Sequence, residues 1–286
     1  MAGIRLEFAQ FGDFDSFDVI RSMTSMSGVA DVDLPSPIVT GLTTMYYVDT
    51  TVIVGARYYY KIRVWRDGVS AVSNEIRTIA LDGAIAVWSD FTTGLVDDTG
   101  KTWTKYGDAK IQGGALTLDG NGDYLTTPFS NDYHFENGED VTIRYKVKLT
   151  GYSSGNIAVI FSAYQYASAD LGYDVRVSTT YTGFVMWTAS NHAIFPYVVP
   201  LNTETEISFE RKGMVWRLYV NGVQNGSSVT QTSNYIKPIN QASVIGSGTI
   251  EGYGLTRDLN GTLRYFQIIK GKALGNGGST TPTIVE

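Results

Sequence analysis

Residues 204–222 read ETEISFERKGMVWRLYVNG. Glu204, Glu206, Ser208 and Glu210 take one set of alternate positions, and Ile207 and Phe209 fall between them. A period of two describes a strand with one face in water and the other in a core. Residues 215–220, VWRLYV, follow at once and stop at Asn221-Gly222, the dipeptide that most favours a tight two-residue hairpin. Residues 141–149, VTIRYKVKL, repeat the pattern. Val141, Ile143, Tyr145, Val147 and Leu149 share one face; Thr142, Arg144, Lys146 and Lys148 share the other. Helical periodicity is nearly absent along the chain, so the fold class is all-β.

The bulk properties agree. The chain has 286 residues, 43% of them hydrophobic, enough to bury a core. Its 19 Tyr and 31 Gly suit strands and turns. A net charge of −6 without a block of like charges argues against nucleic-acid binding by a basic surface. The lack of Cys excludes disulfides and thiolate metal sites. The opening MAGIRLEFAQ has no secretory signal pattern and no run reaches membrane-span length. The expectation is therefore a chain made in the cytoplasm, without membrane insertion.

Composition breaks near residues 80–84, ALDGA, which predicts a domain of residues 1–81 and another of 82–274. The end, GNGGSTTPTIVE, predicts a flexible C-terminal tail over 275–286. In the first domain, FDSFDVIRS (14–22) and the run from Tyr46 to Ile76 resemble a fibronectin type III module. Phe8 stands where that family keeps a core Trp, and Tyr58, Tyr60, Ile62 and Val64 fit its penultimate strand. The resemblance makes Tyr58 a candidate tyrosine corner and implies an immunoglobulin-like sandwich whose usual first strand is missing. Alternation alone places Tyr58 and Tyr60 in the core and Tyr59 outside. The edge left by the missing strand is expected to be covered, with Thr283-Ile284-Val285 as the internal candidate and a frayed tail as the alternative.

The second domain carries DDTGKTWTKYGDAKI (97–111), GGALTLDGNGDYLTTP (113–128), VTIRYKVKL, the stretch quoted first, and NGTLRYFQIIKGKAL (260–274). In that order and spacing they resemble a laminin-G-like, concanavalin A-like jelly roll of the kind found in phage virion proteins. The resemblance implies two stacked antiparallel sheets of about a dozen strands.

Asp119, Asn121 and Asp123 stand two apart, as the first ligands of a calcium loop do. The sixth and twelfth positions of such a loop need Gly and a bidentate Glu, and here they are Tyr124 and Ser130. A turn built on Gly120, Asn121 and Gly122 is the expected reading, and no cofactor is predicted. The same jelly roll hosts glucanases, which hold carboxylates on alternate positions of one strand. Glu206 and Glu210 imitate that spacing, but Ser208 takes the central place. They are expected to form an exposed acidic face, with Arg144, Lys146 and Lys148 as a complementary row on an adjacent strand. His134 and His192 have no catalytic or metal partners in the sequence, so no enzyme is predicted.

A binding site would use rim loops. Tyr164, Tyr166, Trp187, His192 and Tyr197 cluster in the irregular middle of the second domain, where aromatic rings could stack on sugars. The leading functional reading is a non-enzymatic structural protein of a phage virion, a tail, fibre or decoration component. Its expected partners are other virion proteins in a multicopy assembly or homo-oligomer. The alternative is an adhesin that binds host surface glycan, and a glycoside hydrolase comes third.

Overall fold

In a computed structural model the chain divides into two compact units, Met1–Asp82 and Gly83–Thr283. The structure describes residues 3–80, 84–88, 91–92, 94–136, 138–153, 156–165, 171–186, 193–231, 242–250 and 254–281. Strands dominate, and the described residues contain no α-helix.

The first unit contains β1 (Ile4–Glu7), β2 (Ser16–Ser22), β3 (Pro37–Leu42), β4 (Tyr46–Asp49), β5 (Arg57–Arg66), β6 (Val69–Val72) and β7 (Ile76–Ile79). Strands β1 and β4 pair with each other, and the other five form a second sheet built on β5. Ile4 and Leu6 from one sheet pack on Phe17, Val19, Tyr58, Tyr60 and Ile62 from the other. Tyr58 and Tyr60 are buried while Tyr59 is only partly so, as the alternation requires. The Tyr58 hydroxyl reaches back and accepts from the Ile53 N–H at 2.9 Å, which is the bond of a tyrosine corner. Phe8 packs edge-to-face on Phe17, with ring centroids 4.9 Å apart. Asp67-Gly68 closes the β5–β6 hairpin with both residues at positive φ.

The second unit begins with β8 (Ala84–Trp88), β9 (Thr104–Tyr106), β10 (Lys110–Gln112), β11 (Ala115–Asp119), β12 (Tyr124–Thr127) and β13 (Val141–Tyr152). It continues with β14 (Ile157–Gln165), β15 (Leu171–Ser178), β16 (Thr182–Met186), β17 (Ala193–Phe195), β18 (Thr205–Lys212) and β19 (Val215–Val220). It ends with β20 (Val223–Gln224), β21 (Val229–Thr230), β22 (Ser243–Ile245), β23 (Gly248–Ile250), β24 (Gly254–Thr256) and β25 (Leu259–Lys270).

Nine of these strands form one antiparallel sheet along the path β10-β11-β25-β13-β18-β19-β20, with β8 and β21 attached at its sides. Seven form the other, in the order β17-β16-β15-β14-β22-β12-β9. Together the two sheets hold sixteen strands, more than the expected dozen, because several edge strands are only two or three residues long. The inner faces meet in one core, where Phe161 of the smaller sheet stacks on Phe266 of the larger at 5.4 Å. Gly261 is needed where β25 pairs with β13 beside a register shift, since a Cβ there would lie 2.3 Å from the Lys148 carbonyl oxygen. Asn221 and Gly222, at φ 47° and 80°, close the β19–β20 hairpin that their sequence announced.

Candidate functional site

Three places in the second unit hold chemistry away from the inter-sheet core. The first is the outer face of the nine-stranded sheet. Strand β13 lies between β18 and β25, with Lys146 opposite Glu206, Arg144 opposite Ser208 and Thr142 opposite Glu210. The expected basic row therefore stands beside the acidic strand. The expectation of an exposed face is overturned, however: Glu206, Ser208 and Glu210 are 7%, 1% and 2% exposed.

Over Glu210 the cover comes from residues 271–281. The Gly275 N–H donates to Glu210 Oε2 at 2.6 Å, and the Thr281 hydroxyl donates to Glu210 Oε1. The Thr142 hydroxyl donates to the Lys272 carbonyl and accepts from the Leu274 N–H. Tyr219 donates to the Gly278 carbonyl at 2.8 Å. Ser279 and Thr281 bond to Gln224 and Gly222, extending the sheet edge. The stretch 275–281, expected as the start of a flexible tail, is thus tied down, because its small residues let the backbone lie close to the polar face. Residues 282–286 lie outside the described residues. Burial raises the Glu210 pKa against the opposing pull of its donors and of the Arg144 charge. Arg144 itself donates to Gln267 at 2.7 Å. Glu204, just before β18, stays accessible and pairs with Arg264 at 2.6 Å.

The second place is the turn after β11. One carboxylate oxygen from each of Asp108, Asp119 and Asp123 lies within 4.8 Å of the others, a spacing that a cation could use. The bonds are those of a turn. Asp123 is buried, and its two oxygens accept the N–H groups of Asp108 at 2.7 Å and Asp119 at 3.1 Å. Asp119 accepts from Asn121 N–H at 2.7 Å, and Asp258 accepts from Gly122 N–H at 2.9 Å. Asn121, expected as a possible third ligand, stands exposed at the tip, and Asp108 comes alongside instead. Burial raises the Asp123 pKa, backbone donors oppose this, and the charges of Asp119 and Asp108 add to it.

The third place is the outer face of the seven-stranded sheet and its rim. Of the aromatic residues expected to bind glycan, Tyr166, Trp187 and His192 lie outside the described residues, as does the side chain of Tyr164. Tyr197 is half-buried against the core, and its carbonyl accepts the Thr182 hydroxyl at 2.7 Å. On the sheet face, Asp174 and Arg176 form a buried ion pair at 2.5 Å. Alternation of β15 against core residues Tyr173, Val175 and Val177 could have placed both there.

At the edge of this sheet, Tyr106 and Tyr124 oppose one another on β9 and β12. Their rings stack at 4.7 Å and 12°, and Tyr106 is 43% exposed. Burial raises the Tyr124 pKa, and the neighbouring Tyr106 and Asp258 add to the shift. This open aromatic surface, beside the acids of the turn, was missed in the sequence because its halves sit on separate strands.

A profile of the Laminin_G_3 family, the concanavalin A-like lectin/glucanases superfamily, matches residues 119–275. The chain belongs to this superfamily. A search of curated proteins finds no match. Among solved structures, the botulinum neurotoxin serotype D binding domain is similar, with a TM-score of 0.50 and 17% identity over 68% of this chain and 49% of that one. The serotype G binding domain gives 0.51 and 16% over 67% and 48%. The botulinum neurotoxin DC binding domain, solved in complex with rat synaptotagmin II, gives 0.51 and 11% over 68% and 49%. The chain spans about half the length of these structures. At such identities the likeness is one of fold.

Proposed function

We propose that the chain is a non-enzymatic binding and display protein whose jelly roll recognises carbohydrate at its rim. The observation that carries the reading is the stacked and accessible Tyr106–Tyr124 pair. An exposed ring face takes the apolar side of a pyranose, and the exposed carboxylates of Asp108 and Asp119 beside it are acceptors for hydroxyls. The similar binding domain of botulinum neurotoxin DC solved with SialylT supports a glycan ligand. Tyr164, Tyr166, Trp187, His192 and Tyr197 belong to the same proposal as a second group of aromatics.

The non-enzymatic part rests on Glu210. A glucanase needs two carboxylates open to one sugar. Glu210 is instead engaged by Thr281, Gly275 and Ser208 of its own chain. We further assign the protein to a phage virion, as a tail, fibre or decoration component with a fibronectin type III-like first unit, on the resemblance of the quoted stretches.

A glycan array with the purified chain tests the binding role. Binding is expected, and Tyr106→Ala with Tyr124→Ala should weaken it about tenfold or more, since a stacked ring contributes on the order of 1–2 kcal/mol. An array with no signal, or one indifferent to both substitutions, overturns the site. Release of reducing sugar by the wild type, lost in Glu206→Gln with Glu210→Gln, overturns the non-enzymatic reading. Mass spectrometry of purified particles checks the virion assignment.

A further inference from the structure

Each sheet of the second unit ends in a three-residue edge strand, β9 in the smaller and β10 in the larger. A cavity of about 400 Å3 is lined by residues of both strands and by Gly94 and Leu95. Leu95, Ala109 and Ile111 form its apolar part, and Lys105, Lys110 and Gln112 bring its polar side chains.

Register ties this cavity to the aromatic surface. Lys105 stands opposite Leu125, a wholly buried core residue, so its side chain leaves β9 on the inter-sheet side. Tyr106 leaves on the other side, where it stacks on Tyr124. The cavity and the stacked rings therefore lie on the two sides of one edge strand, at residues whose Cα atoms are about 3.8 Å apart. Among the described residues β9 pairs only with β12, so its other edge is open to a ligand that passes from one side to the other.

The charges around the cavity are of one sign. The chain carries a net −6, yet no carboxylate lines this cavity. Other lysines have acids: Lys101 pairs with Asp132 at 3.0 Å and Lys146 with Glu204 at 3.8 Å. Lys105, Lys110 and Gln112 make no side-chain hydrogen bond or ion pair among the described residues. The acids closest in the chain are engaged elsewhere. Asp108 gathers with Asp119 and Asp123, and Asp97 accepts from Thr99, the Lys101 N–H and the Trp103 indole. Two ammonium groups and an amide around an apolar floor suit an anion carried on a partly apolar ring. On the Tyr106 side the exposed carboxylates of Asp108 and Asp119 repel an acid, which directs the anionic end of a ligand towards the lysines.

We infer that the cavity of Lys105 and Lys110 is an acidic-sugar subsite, and that the glycan held at the Tyr106–Tyr124 surface bears a carboxylate or a sulfate. The inference rests on the proposed carbohydrate role and names its ligand class.

The test compares neutral glycans with the same glycans bearing sialic acid, a uronic acid or sulfate, first on an array and then by titration of the tightest pair. The acidic form should bind about tenfold or more tighter than its neutral counterpart. Lys105→Ala with Lys110→Ala should bring the two forms to the same affinity, and an unchanged melting temperature checks the fold at these exposed positions. Raising salt to about 1 M should shrink the preference in the wild type, since exposed charges are screened. Tyr106→Ala should weaken both forms alike. Equal affinity for neutral and acidic forms, or a preference that survives the double lysine substitution, overturns the subsite and leaves the carbohydrate role standing. A preference that depends on the lysines but not on Tyr106 or Tyr124 upholds the subsite and overturns the aromatic surface. No binding of any glycan overturns both.

Discussion

Asp49 in the first unit and Glu210 in the second are carboxylates closed off from solvent, with opposite electrostatics. Asp49 receives Arg21 at 2.8 Å, the Tyr60 hydroxyl at 2.7 Å, and the N–H and hydroxyl of Thr51 at 3.0 and 2.7 Å. Burial alone would raise its pKa, but these donors outweigh burial and hold it below the usual carboxylate range. Glu210 receives two hydroxyls and one N–H, and the Arg144 charge acts on it only as a weaker opposing pull. There burial wins and the pKa rises. Glu210 carries the heavier burial and Asp49 the directly bonded cation, and both differences push the two acids apart.

The same amide substitution in the two places should separate them. Asp49→Asn presents an NH2 group to a site made almost wholly of donors and leaves Arg21 without its partner. Arg21 is partly exposed, so the loss should be about 2–3 kcal/mol, below that of a wholly buried pair. Calorimetry of the whole chain should show one transition lowered and the other spared. The pH dependence carries the sign. Asp49 contributes stability above its unfolded pKa of about 3.9, and that contribution is lost as pH falls through the lower folded value. Asp49→Asn should flatten this acid limb, and an unchanged limb would show that the cluster does not hold the charge.

Within the same unit, Tyr58→Phe removes the acceptor of the Ile53 N–H and should lower that transition by about 1 kcal/mol. No change in melting would mean that the corner adds nothing beyond ring packing.

Glu210→Gln should behave otherwise. The amide oxygen can face the Gly275 N–H, and the amide nitrogen can donate to Thr281 or Ser208, whose hydroxyls also accept. A raised acid favours folding when neutral, and that advantage is lost as pH rises from its unfolded value of about 4.3 through the higher folded one. At neutral pH the substitution should therefore change stability by less than about 1 kcal/mol, in the favourable direction. A loss as large as that of Asp49→Asn would mean that Glu210 is held charged and that the comparison fails.

Much of this arrangement was legible beforehand. The alternation of 141–149 and 204–210 gave the strands, Asn221-Gly222 gave a hairpin, and the Tyr58–Tyr60 pattern gave the core of the first unit. What could not be read was cover. Alternation says that Glu206, Ser208 and Glu210 leave the inter-sheet core, but not that another segment will lie over them. The segment that lies over Glu210 has the Gly, Ser and Thr composition of a linker, and its order comes from bonds to Thr142, Glu210, Tyr219, Gly222 and Gln224, far earlier in the chain. Tyr106 and Tyr124 escaped notice for the same reason, since register across strands sets their contact. Asp108 joined Asp119 and Asp123 through a neighbouring turn that spacing rules do not span.

Asp123 extends the comparison to a third acid and gives the smallest expected effect. It resembles Glu210 in having a raised pKa, but both its oxygens are taken by backbone N–H groups, and two further carboxylates stand beside it. If the turn is complete as built, millimolar calcium should leave the melting temperature within about 1 °C, since a site with no appreciable affinity adds nothing to folded-state stability. Asp119→Ala frees only the exposed Asn121 N–H and should cost under about 0.5 kcal/mol. A cation that does bind would relieve the repulsion among the three acids. At a hundredfold excess over Kd it would add about 2.7 kcal/mol. For a unit of this size that is a rise of several degrees. Such a rise, abolished by Asp119→Ala, would turn this turn into a metal site and put Asp123 with Asp49, as an acid held charged by a directly bound cation.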